Sequence, residues 1–184
     1  MNAVIMTVLA IRPARADEIP ALNAMITASA RELSRGFYTE AETEAAITHV
    51  FGVDSELVAD GTYLVVEAEG VTLGCGGWSR RATLFGSDAF AGRQSGLLDP
   101  ARDAAKIRAF FVAPQAARRG VGAALLEACE SAAAQAGFTR TELMATLPGV
   151  PFYASKQYRP GDAISLDCGG VAVGFVPMTK QLSG

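Results

Sequence analysis

The residues best suited to chemistry fall in one block, Arg118-Arg119-Gly120-Val121-Gly122-Ala123. It follows an apolar run, Phe110-Phe111-Val112, and a proline at 114. A strand here leads into a basic, glycine-punctuated loop that becomes a helix, with Val121, Leu125, Leu126, Cys129 and Ala133 on one face. The first amides of a helix have no internal acceptor, and the helix dipole places partial positive charge on them. Such a terminus binds anions, above all phosphate. Gly120 and Gly122 present no side chain to hold phosphate oxygens away, and Arg118 and Arg119 add charge. Glycines before a helix also open dinucleotide folds, and Glu142 lies about 20 residues on, as that fingerprint asks. Position 125 is Leu rather than Gly, however, and no repeated βαβ pattern follows. A Walker loop is excluded, because no Gly-Lys-Ser or Gly-Lys-Thr occurs.

A second group surrounds the strand at 105–112. Alternation places Lys106, Arg108, Phe110 and Val112 on one face. A charge in a central strand is paired or faces a wet pocket, so Arg108 is read both as an ion pair, with Asp103 or Glu67, and as a residue that holds a substrate. Trp78 stands beside Gly76 and Gly77 and reads as a pocket wall or as core. Arg80 and Arg81 end the same strand. Tyr153 taken alone is a core aromatic. Cys75 has no neighbouring base to activate it. His49, the only histidine, reads as a surface or capping residue.

These residues need a scaffold, and the pattern supplies one. A strand is expected at 8–12 and helices at 17–34 and 40–51, the second opened by the capping-box pair Thr39 and Glu42. A short turn or helix follows at 55–59. Strands at 62–68 and 71–80 are joined by Glu69-Gly70, and Gly74, Gly76 and Gly77 suggest a bulge or a close backbone approach. Residues 81–104 form a long loop, a candidate flap over the substrate site. A strand at 105–112, the helix from 120, a strand at 139–145, a short helix at 150–156 and a closing hairpin at 163–178 complete an α/β plan around one mixed sheet in a single domain, 1–184.

Two elements carry a specific resemblance. Val112-Ala113-Pro114 with Gly120-Val121-Gly122 resembles the coenzyme A pyrophosphate loop of the GNAT superfamily of N-acetyltransferases. Phe152-Tyr153 with Tyr158 resembles the downstream aromatic element of that family. Ala117 stands where the family has Arg or Gln, and Gln157 where it has Gly. The resemblance implies a partly splayed sheet flanked by helices on both faces, and acetyl-CoA as cosubstrate, with no metal. Phe110, Phe111, Val112, Arg118, Arg119, Gly120, Val121, Gly122 and Ala123 would bind it. Tyr153 would be the general acid for the departing thiolate. The reaction implied is direct N-acetylation of a primary amine on a small molecule, with Trp78, Arg80 and Arg108 facing the acceptor. A general base is not evident; Glu67, Glu40 and a water relay are the candidates. A catalytically silent acyl-CoA sensor and a nucleotide-binding regulatory domain are the alternatives. The resemblance also implies a homodimer through the last strands.

Composition narrows the field further. Net charge is −3, which argues against a nucleic-acid face. Three scattered cysteines make no disulfide framework and fit a cytoplasmic protein. One histidine without a cysteine pair argues against metal. The apolar start at 1–11 lacks a basic leader region and reads as a first strand rather than a cleaved signal. No apolar run reaches membrane-spanning length.

Overall fold

A computed structural model describes residues 8–94 and 96–182. Its strands are β1 (Ala10–Pro13), β2 (Tyr63–Ala68), β3 (Val71–Ser79), β4 (Ala105–Val112), β5 (Arg140–Thr146), β6 (Arg159–Pro160), β7 (Ile164–Cys168) and β8 (Val171–Gln181). Its helices are α1 (Ile19–Leu33), α2 (Glu40–His49), α3 (Ser55–Ala59), α4 (Val121–Gln135) and α5 (Val150–Ser155). The expected strand at 8–12 is observed at Ala10–Pro13, and the expectation for 1–7 lies outside the described residues. α2 begins where its capping box predicts. The amide of Glu42 donates to Thr39 Oγ1 at 3.2 Å, and the Thr39 amide donates to Glu42 Oε2 at 2.7 Å. The two-residue β6 and its pairing with β8 have no counterpart in the sequence pattern.

The sheet runs β1-β2-β3-β4-β5-β8-β6, with β7 also on β8. Among the strand pairs of the described residues only β4 and β5 are parallel. Alternation along the strands feeds two cores. Val66, Ile107, Leu143 and Met178 pack with Leu125 and Leu126 of α4 and Tyr153 of α5. Tyr63, Val65 and Cys75 pack on the opposite face with Leu22 and Ile26 of α1 and Leu57 of α3. Ala46 of α2 joins Val173 and Phe175 on that second face. Among the described residues no helix is long and apolar enough to cross a membrane.

Two irregularities shape the centre. β4 and β5 pair only at Ala105↔Thr141 and Lys106↔Glu142, so from Ile107 onward the strands part. The β4 edge beyond that point has no ladder partner on the β5 side, which leaves backbone groups to be satisfied by something else. The second irregularity corrects the expected strand face. Against β3, Arg108 pairs with Gly77 and Phe111 with Cys75, so Ala109 and Phe110 together face Gly76. Ala109 has φ +53°, and its carbonyl accepts a 3.0 Å hydrogen bond from the buried Tyr63 hydroxyl. The extra residue reverses the alternation. Lys106 and Arg108 do not share a face with Phe110 and Val112. Phe110 and Val112 join Ile107 on the α4 side, while Phe111 packs on the α1–α3 side. The β3 glycines are explained by the same crowding: a Cβ on Gly76 would lie 2.4 Å from the Phe110 ring, and one on Gly74 would lie 2.8 Å from Val121 Cγ1.

Candidate active site

The parted strands open a cavity of about 790 Å³, walled by residues 107–112 of β4, by Leu143, Met144 and Thr146 from β5, and by the start of α4. The chain reaches α4 through a single 3-10 turn, Pro114–Ala116. Arg118 (φ +65°) and Gly120 (φ +83°) then take left-handed conformations that aim the chain into the helix. Gly120 is the N-cap, and its carbonyl accepts the first helical bond, from the Ala124 amide at 3.0 Å. The amides of Val121, Gly122 and Ala123 precede that bond and have no intrahelical acceptor. The space around Gly120 is open, and a Cβ added there would meet nothing within 4 Å. Donor set, dipole and open approach together fit a pyrophosphate.

Of the residues expected to hold the coenzyme, Phe110, Phe111, Val112, Arg118, Gly120, Val121, Gly122 and Ala123 line this cavity. Arg119 is exposed and lies off the lining. Ala117, which replaces the expected Arg or Gln, ends the 3-10 turn and lines the cavity without a polar side chain.

Tyr153 reaches the same cavity from α5. Thr146 caps the turn before that helix by accepting from the Gly149 amide at 3.3 Å. The Tyr153 ring packs edge-on against Phe152 and Tyr158, with centroids 5.1 and 5.6 Å apart, and lies 6.5 Å from Phe110. Burial, with Cys129 nearby, pushes its hydroxyl well above the usual tyrosine range, so it stays protonated. Tyr158 does not line the cavity. Its hydroxyl lies 2.9 Å from Thr141 Oγ1 and donates to Glu130 at 2.9 Å, and Lys180 pairs with the same carboxylate at 2.7 Å. Gln157, at the expected glycine position, has φ +71°. The left-handed backbone required there is the physical reason glycine suits this position.

Arg108 is enclosed, with no exposed side-chain surface. Its Nη2 lies 2.6 Å from Asp54 Oδ2 and donates to the Gly86 carbonyl at 2.6 Å. Burial lowers its pKa, against the raising effect of Asp54. The partner is therefore neither Asp103 nor Glu67. Asp54 caps α3 by accepting from the Glu56 amide at 2.9 Å and also receives Arg93. Sequence reasoning missed it because nothing local links residue 54 to residue 108. Helix-cap spacing before Ser55 was the only available signal.

The long loop forms a wall of the site. Phe85 and Gly86 line the cavity, and Phe85 packs on Phe90 and Phe175 at 4.7 and 6.1 Å. Arg81 pairs with Asp60 at 2.7 Å, and Arg93 pairs with Asp54 and Glu56, tying the loop to α3. Trp78 and Arg80 are not brought to the cavity. β3 runs antiparallel to β4, so residues 78–80 lie beside and beyond its first residues, away from the open end. Trp78 packs on Phe138 at 6.3 Å and Arg80 is exposed.

Neither carboxylate considered as a base lines the cavity. Glu67 of β2 pairs with Arg12 of β1 at 2.9 Å, and Glu40 lies in the exposed first turn of α2. No Asp, Glu or His occurs among the described lining residues. Cys75 is buried, with its sulfur 3.3 Å from the Tyr63 hydroxyl, and is pushed up to about 12 by burial, so it is no thiolate nucleophile.

Residues 27–157 match the sequence model of the acetyltransferase (GNAT) family. No curated protein matches the chain significantly. Among solved structures, a GCN5-related N-acetyltransferase from Rhodopseudomonas palustris is similar with TM-score 0.72 and 22% identity, covering 98% of this chain and 100% of that one. PaiA N-acetyltransferase from Thermoplasma acidophilum, in complex with coenzyme A, is similar with TM-score 0.64 and 15% identity over 95% and 99%. YncA from Salmonella typhimurium, solved with acetyl-CoA, is similar with TM-score 0.60 and 16% identity over 95% and 94%. At these identities the likeness is one of fold.

Proposed function

The chain belongs to the acetyltransferase (GNAT) family, and from that premise we propose that it transfers acetyl directly to a primary amine on a small molecule. As a member it is an acetyl-CoA-dependent enzyme, and the coenzyme supplies the acetyl group as a thioester. One observation carries the reading: the parting of β4 from β5 opens one cavity to both the free amides of α4 and Tyr153. Val121, Gly122 and Ala123 bind the pyrophosphate through their amides, with Arg118 beside them. The unpaired β4 edge holds the pantetheine arm and orients the carbonyl. Tyr153, kept protonated by burial, holds a proton for the sulfur that leaves.

A cavity of about 790 Å³ that must also take a coenzyme arm supports a small acceptor. With no carboxylate or histidine among the described lining residues, proton removal from the amine falls to water. Three free, buried cysteines support a reducing compartment, and we place the protein in the cytoplasm. The test is Tyr153→Phe assayed by thiol release across an amine panel. Acetyl-CoA binding should persist while kcat falls by about 10²–10⁴-fold. Turnover near the wild-type rate would reduce Tyr153 to packing.

A further inference from the structure

Arg108 has donors to spare. Its Nη2 serves both Asp54 and the Gly86 carbonyl, whereas Nε and Nη1 are buried without a partner among the described residues. A guanidinium has five N–H donors and no acceptor. Charged donors left unmet in a buried site are unfavourable, so a group that meets them is strongly selected.

The missing element is not countercharge. Arg81, Arg93 and Arg108 face Asp54, Glu56 and Asp60, three cations and three anions in one cluster. What Arg108 lacks is oxygen lone pairs. A carboxylate offers two acceptor oxygens, whereas a primary amide keeps one and turns an NH₂ that cannot accept toward the other donor, and an ammonium offers none. The wall beside Arg108 is aromatic. Phe51 packs edge-on against Phe111 at 5.3 Å and Phe175 at 6.3 Å, Phe85 packs on Phe175 at 6.1 Å, and all four line the cavity.

We propose that the acceptor is an amine bearing a carboxylate and an apolar side chain, with the carboxylate on the free donors of Arg108 and the apolar body against Phe51, Phe85, Phe111 and Phe175. This names the acceptor class of the transferase reading and rests on it. Phe85 and Gly86 must give way for the carboxylate to reach those donors, because the Gly86 carbonyl rests on Arg108 and the free nitrogens are sealed. The Arg108–Asp54 pair then orients the recognition donors and ties them to the loop that closes on the ligand.

Calorimetric titration of phenylalanine, phenylalaninamide and phenethylamine tests the idea, with and without coenzyme A. Phenylalanine should bind at least about tenfold more tightly than either analogue, because charge-assisted bonds are the stronger kind. Arg108→Lys should shrink that ratio severalfold, since lysine does not reproduce the guanidinium fork. Equal binding of the three, preference for the amide or amine, or no binding of phenylalanine overturns the proposal. A purely structural Arg108 would weaken all three together in the variant and leave the ratio intact. Should Arg108→Lys fail to fold, the wild-type ranking still decides. Absent coenzyme binding would instead count against the transferase reading, and the coenzyme-free titration keeps the two failures apart.

Discussion

The two ends of the cavity are built from different materials. The end proposed for the coenzyme is a backbone site: three amides at the start of α4, a left-handed Gly120 and an unpaired strand edge. The end proposed for the acceptor is a side-chain site, in which Arg108 of β4, Asp54 before α3 and Gly86 of the long loop meet across 22 to 54 residues of sequence. A backbone site tolerates changes of side chain so long as the path of the chain survives. A buried side-chain site fails when one partner is removed, because the charge left behind keeps its desolvation penalty. On the proposed reading Ala117 can stand where Arg or Gln is expected, because the amides of α4 need no side chain there.

Asp54→Asn should produce the largest effect. It strips the counterion from the enclosed Arg108 and leaves Arg93 with Glu56 alone, and breaking a buried pair such as Arg108–Asp54 costs about 3–5 kcal/mol. Denaturant unfolding reads that cost directly, and the folded fraction should still bind acetyl-CoA. A loss below about 1 kcal/mol would put Asp54 in the class of exposed pairs and erase the contrast.

Gly120→Glu attacks the other end. A carboxylate beside the free amides occupies the place of the phosphate, and acetyl-CoA affinity should fall at least about 100-fold, or about 2.7 kcal/mol. Gly120→Ala separates charge from strain. Its methyl meets open space, and its left-handed φ costs about 1–2 kcal/mol of stability with little change in affinity. If calorimetry finds the Glu variant binding like wild type, the amide cradle is not the pyrophosphate site.

The smallest effect is a change that should not happen. Burial holds the Tyr153 hydroxyl above the usual tyrosine value, so its acid form persists through the alkaline range. kcat should not decline between pH 8 and about 10, the ordinary tyrosine pKa. A decline beginning below about pH 9 would mean that a different, more acidic group donates the proton.

Local pattern was enough for the parts whose physics is local. Thr39 and Glu42 mark the start of α2, Glu69-Gly70 marks the hairpin between β2 and β3, and Gly120-Val121-Gly122 after Pro114 marks the start of α4, because caps, turns and helix termini are set by neighbours in the chain. The family pattern around Tyr153 is equally contiguous. Tertiary structure alone settled which way β4 faces past Arg108. The bulge at Ala109 depends on a hydroxyl from Tyr63 and on Gly76 in the next strand, and one extra residue sends every later side chain to the opposite face. It also settled that Arg108 meets Asp54 rather than Asp103 or Glu67, and that Trp78 and Arg80 lie away from the cavity. Those outcomes follow from strand direction and from contacts between distant segments, and no periodicity within a single segment encodes them.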